Sequence, residues 1–111
     1  MNTSSMLRSY LSKMMDPESY FYHVVNCIEV QLHDWEQEAI LLFDWSGQKE
    51  TIYLSFFIDD QLYPFSIEKE EAEKLQEKSP YALDRYMWEA LMKQGFVLQK
   101  SNYIHLAFSV T

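Results

Sequence analysis

A chain of 111 residues, 48% apolar and 16% aromatic, carries enough apolar material for one hydrophobic core and too little length for two ordinary ones, so a single domain spanning 1–111 is expected. The only cysteine, Cys27, excludes an intramolecular disulfide and a cysteine-rich zinc module, and two distant glycines, Gly47 and Gly95, exclude a phosphate-cradling glycine loop. The net charge of −8 is concentrated: residues 1–33 carry three acids and two bases, residues 34–78 twelve and four, and residues 79–111 two and three, which argues against direct nucleic-acid or anionic-membrane binding through the middle of the chain.

In chain order, Ser4 or Ser5 caps a first helix whose Leu7, Tyr10, Leu11 and Met14 share one face, and Asp16-Pro17 ends it. Tyr20 to Leu32 reads as a half-buried strand, because Ile28, Val30 and Leu32 alternate with Glu29, Gln31 and His33. Glu38 to Trp45 is a nearly continuous apolar strand, expected to be covered on both faces, and Ser46-Gly47-Gln48 turns the chain back. Thr51 to Ile58 follows with Ile52, Leu54, Phe56 and Ile58 inward. Asp59-Asp60-Gln61 turns into Leu62–Ile67, which Pro64 confines to a sheet edge.

The next segment is helical, with Glu68, Glu70 and Glu71 at its start, Lys74 and Lys78 near its end, and Ala72 and Leu75 as its thin core stripe. Ser79 and Pro80 then open a helix with Leu83, Met87, Ala90 and Leu91 buried, which Gly95 stops and Phe96 closes against Leu91. Phe96 to Val110 reads as a hairpin that turns at Lys100–Asn102 and pairs Leu98 with Ile104 and Phe96 with Leu106. The expected fold class is α+β: a mainly antiparallel sheet in the order α-β-β-β-β-α-α-β-β with helices packed on one face.

The sequence holds no Gly-x-Ser-x-Gly elbow and no His-Glu-x-x-His pair, so no catalytic residue, cofactor site or metal site is assigned and the chain is read as non-enzymatic. His23 and Cys27, with His33 or Asp34, are conceivable metal ligands, and Cys27 a conceivable nucleophile, but a lone cysteine is more often a small buried hydrophobe. Asp34, Glu36 and Glu38 alternate, and Asp59-Asp60 adds two carboxylates at a nearby turn; acids in such places usually serve as solvated punctuation. Trp35, Trp45, Tyr53, Phe57, Tyr63 and Tyr81 accompany these acids. Tyr53 and Phe57 lie on the strand face opposite Ile52, and that face is either helix-covered core or a display of rings beside carboxylates.

The favoured expectation is an acidic protein-binding domain, such as an inhibitor or immunity-type factor, that occupies a basic surface on a nucleic-acid-handling protein. Its contact residues would be Asp34, Trp35, Glu36, Glu38, Tyr53, Phe57, Asp59 and Asp60. The alternatives are a subunit of a larger assembly, or a small enzyme or ligand-binding domain using Asp34, Glu36, Asp59 or a histidine in a sheet–helix pocket. No apolar run approaches the ~18 residues of a membrane span and no leader pattern opens the chain, so a cytoplasmic location is expected.

Overall fold

The computed structural model describes residues 5–45 and 47–109; Ser4, Ser46 and Val110, expected above in a cap, a turn and a strand, lie outside them. The first helix, α1 (Ser5–Met14), forms where expected, but of its apolar stripe Leu11 alone packs against the core. Arg8 is its buried residue, whereas Leu7, Tyr10 and Met14 are exposed. A buried counter-charge described below turns the helix this way.

Asp16 and Pro17 do more than end α1. Asp16 is extended at the N-cap and Pro17 occupies the first turn of α2 (Pro17–Asp34), where its missing N–H costs nothing. This 18-residue helix replaces the expected strand over Tyr20 to Leu32. Tyr20, Phe21, Val24, Val25, Ile28 and Leu32 recur at helical spacing and are all buried. The alternation from Ile28 to Leu32 was a short stretch of that longer period, and packing overrode the β preference of its branched residues.

Three strands follow: β1 (Ala39–Phe43), β2 (Thr51–Ile58) and β3 (Gln61–Glu68), antiparallel in the order β1-β2-β3. Ile52, Leu54, Phe56 and Ile58 point into the core at 2% exposure or less, and Pro64 sits on an edge strand as its missing donor requires. Both flanking faces of β1 were expected to be covered, but Ile40 and Leu42 are exposed because, among the described residues, no helix lies on that side. Among the described residues the sheet is therefore one-sided, packed by helices on its inner face.

Ile58 pairs with Gln61, so Asp59 and Asp60 form a two-residue hairpin turn, with φ of 49° and 68°. Positive φ at both positions is the signature of the type I′ turn, whose handedness matches strand twist.

α3 (Lys69–Lys78) starts directly after β3, with Ala72 and Gln76 buried. Gln76 Nε2 donates to the carbonyls of Ser12 and Met15 at 3.0 and 2.9 Å, satisfying the last turn of α1. α4 (Ala82–Met92) begins two residues later than expected: Ser79 and Pro80 belong to a preceding turn, closed by Ala82 N–H on the Ser79 carbonyl, and Tyr81 is the N-cap. Its end is as read from sequence, with Gly95 at φ 99°, Gly95 N–H on Met92 O at 3.0 Å and Phe96 N–H on Leu91 O at 3.1 Å, a Schellman motif.

The expected C-terminal hairpin is absent. Residues 96–101 form a connector and α5 (Asn102–Phe108) a short helix, capped by the Ser101 hydroxyl accepting from Ile104 N–H at 3.1 Å. Tyr103 and Ala107, four residues apart, are its buried pair, so the apolar residues that would have alternated along a hairpin serve a helical face. The fold class is α+β with a three-stranded sheet in place of six strands.

Aspartates in the left-handed region cost backbone energy that glycine avoids. Replacing Asp60 by Gly is expected to raise stability by about 0.5–1 kcal/mol, net of the glycine entropy lost on folding. The check is the urea midpoint at constant m-value; a lower midpoint would show that the Asp60 carboxylate supports the turn.

Candidate functional site

The register of the three strands defines the outer sheet face. Ile40, Phe57 and Leu62 form one row across it, Leu42, Ser55 and Pro64 the next, and Tyr53 stands beside Ser66. The large side chains here are open to solvent, at 61% for Ile40, 53% for Leu42, 67% for Tyr53, 40% for Phe57 and 47% for Leu62. None of the residues in these rows is charged. Contiguous exposed apolar surface of this kind marks interaction sites in folded proteins.

Carboxylates close one end of the face. The Asp59 Oδ1 accepts from Glu38 N–H at 2.9 Å, its Oδ2 from Gln37 Nε2 at 3.2 Å, and its own N–H donates to the Glu38 carbonyl at 2.9 Å. These bonds fasten the loop after α2 to the β2–β3 turn. Glu38, Asp59 and Asp60 there share a groove with His33, Ile40 and Phe57. Among the described residues, none of these three acids forms a salt bridge. The non-glycine residues with positive φ among the described residues are Glu36, Asp59 and Asp60, all acidic and all in these two adjoining segments.

Of the residues expected to contact a partner, Glu38, Phe57, Asp59 and Asp60 thus come together. Asp34 and Glu36 are exposed at the end of α2 and in the turn after it. Tyr53 shares the sheet face but stands four residues along β2 from Phe57. Trp35 turns inward and packs on Trp88, with ring centroids 5.7 Å apart. Of the other rings, Tyr63 and Tyr81 are buried, while Trp45 packs against Phe21 at 5.3 Å. The acidity of the middle third divides into more than one surface, because Glu70, Glu71, Glu73 and Glu77 lie on α3, which starts where β3 ends, and Lys74 pairs with Glu70 at 3.2 Å.

A second constellation has no counterpart in the sequence reading. Arg8 on α1 forms a bidentate pair with Asp84 on α4, the two side chains being 4% and 0% exposed. Its Nη1 also donates to the Pro80 carbonyl at 3.1 Å and its Nη2 to Cys27 Sγ at 3.2 Å, and the guanidinium lies 4.7 Å from the centre of the Tyr81 ring. Tyr103 on α5 donates its hydroxyl to Asp84 Oδ2, and Tyr20 on α2 donates to Pro80 O at 2.7 Å. Burial works against the charge of Arg8, but the attraction and hydrogen bonds of Asp84 outweigh it, so the guanidinium is held protonated.

Burial pushes the Cys27 thiol up, only partly offset by Arg8, which leaves it a poor nucleophile. His23, 3.7 Å from Cys27 Sγ on the same helix, has its pKa lowered by burial and by Arg8. Among the described residues no three histidines, cysteines or acids converge in a metal-binding group. The three hydrogen bonds that the Asp84 carboxylate accepts from Arg8 and Tyr103 suit a structural clasp.

Comparison with known proteins yields no match to any family model, curated protein or solved structure, so the bearing on function comes from the residues themselves. Among the described residues no helix is long and apolar enough to cross a membrane.

Asp84→Ala strands a buried guanidinium, for which a loss of about 3–5 kcal/mol is expected, whereas Arg8→Met with Asp84→Leu should lose much less. Urea unfolding of both variants measures this; equal losses would mean that the pair's shape, not its charge balance, matters.

The same cluster makes the fold sensitive to alkali. Burial pushes Tyr20 up to about 12 and Tyr103 well above its ordinary value of 10.0. Below pH 10 both states keep these protons; above it the unfolded chain releases them while the fold retains them, so stability falls as pH rises from 10 toward 12. Unfolding free energies measured across that window should fall less steeply in Tyr103→Phe than in the parent chain.

Proposed function

We propose that this chain is a non-enzymatic protein-binding domain, an inhibitor or immunity-type factor, that engages a basic protein surface with its outer sheet face and the acidic turn beside it. The observation that carries this reading is the coincidence of backbone strain with charge. Glu36, Asp59 and Asp60 occupy left-handed conformations in which glycine or asparagine costs less. Carboxylates at such positions, beside an open apolar face, suit a target-binding surface.

The division of labour follows from the chemistry. Exposed carboxylates without a lysine or arginine partner set up a field that draws in a cationic surface and speeds encounter. Phe57, Ile40, Leu62, Leu42 and Tyr53 then supply apolar area to bury, so dissociation is governed by the rings and encounter by the charges. A groove shaped for nucleic-acid phosphates presents the complementary cationic surface, and the acids that attract it repel the nucleic acid itself.

A second reading, a subunit of a larger assembly, is favoured by one observation. Met6, Tyr10 and Met14 on α1 are 84%, 59% and 65% exposed and lie at helical spacing, so a second apolar surface sits on a different element from the sheet face.

The test combines capture with kinetics. The chain immobilised at low salt should retain proteins of high pI, and Glu38→Gln, Asp59→Asn and Asp60→Asn together, which keep the turn's side-chain shapes, should slow association about tenfold at low salt. The difference should shrink at high salt. Recovery of no basic protein at low salt would end the proposal.

A further inference from the structure

We infer that β1 is an open sheet edge that accepts an extended, lysine- or arginine-flanked segment of the basic partner as a fourth strand; this rests on the protein-binding reading above. The bond from Asp59 N–H to the Glu38 carbonyl sets the alternation along the strand. Ile40 and Leu42 direct their backbone groups toward Phe57 and Ser55 on β2, leaving those of Ala39, Leu41 and Phe43 aimed at the free edge. With β1 last in the sheet order, three N–H and three C=O groups lie in line there.

The opposite edge has been closed and this one has not. On β3, Pro64 has no N–H to offer, its carbonyl accepts Gln94 Nε2 at 2.9 Å, and the Ser66 carbonyl accepts the Tyr86 hydroxyl at 2.8 Å. Side chains of α4 and of the turn that ends it thus occupy the outward carbonyls of β3, and among the described residues nothing equivalent reaches Ala39, Leu41 or Phe43. The core is correspondingly less sealed under β1: its inward residues Ala39, Leu41 and Phe43 are half-buried, whereas those of β2 are fully buried.

Charge selects the occupant. In a second copy paired antiparallel on Leu41, Glu38 would face Asp44 of that copy, two like charges directly opposed between chains of net charge −8. Self-pairing in that register is thereby opposed, while a strand with cations at both ends meets Glu38 and the adjoining Asp59 turn at one end of β1 and Asp44 at the other. Apolar residues at alternate positions of that strand would extend the outer row next to Ile40 and Leu42.

A random short-peptide library displayed on phage and selected against the intact chain tests this. Enriched peptides should alternate β-branched or aromatic residues between Lys or Arg ends, and on binding should slow hydrogen exchange at the Ala39, Leu41 and Phe43 amides about tenfold. N-methylation of the peptide amides that face β1 should weaken binding about tenfold, and methylation of the alternate amides should not. No enrichment, or enriched peptides that leave those three amides unchanged, would overturn strand addition. If basic proteins are still captured and the triple charge-removing variant still slows their association, the surface reading survives that failure; if they are not, both fall.

Discussion

The ion pair between Arg8 and Asp84 is the constraint on which the helical layer depends. A guanidinium and a carboxylate taken out of water are tolerable only when their hydrogen-bonding capacity is filled, and here α1, α2, α4, α5 and the turn before α4 all contribute to filling it. Each of those elements is thereby located relative to the others by a directional bond as well as by apolar contact. The orientation of α1 is the clearest consequence. To bring Arg8 inside, the helix leaves Tyr10 and Met14 in solvent, the reverse of what their apolar spacing favours. A buried carboxylate left without its cation would cost more than two apolar side chains left in water, so the pair decides which way the helix turns.

The helices cemented by this pair cover one side of the sheet, and three strands provide no second layer for the other. The inner face is filled by alternate residues of β2 and by α2, while the outer face remains apolar without being covered. A small domain could have placed polar residues there at no cost to its core. Rings and branched side chains stand there instead, with acids at one end in left-handed backbone conformations that glycine or asparagine adopts at lower cost. Two local departures from the cheapest solution that adjoin at the Asp59-Asp60 turn suit the binding surface proposed above.

The strands β1, β2 and β3, the acidic hairpin turn, α3, and α4 with its Gly95 stop were legible because each is written in near-neighbour chemistry: period-two alternation, turn residues, dipole-matched charges, a helix-stopping glycine. Four of the acids and rings expected at a surface, Glu38, Phe57, Asp59 and Asp60, meet for the same reason, since the register of β1 on β2 brings the loop before one against the turn after the other. Errors arose where a short window fits two periods. Ile28 to Leu32 alternates locally but belongs to a helical pattern that starts at Tyr20, and the Asp16-Pro17 signal that ends α1 equally begins α2. Phe96 to Phe108 likewise has alternating apolar residues, yet Ser101 at a cap and the Tyr103–Ala107 spacing make a helix.

Composition, periodicity and turn chemistry by themselves determined an acidic α+β domain with an antiparallel sheet, because those signals act between residues a few positions apart. Only the tertiary structure decided that Arg8 would meet Asp84 across 76 residues, that Trp35 would turn in toward Trp88, and that Tyr53 and Phe57 would remain in water. Burial and long-range pairing depend on which element covers which face, and no local interaction carries that information.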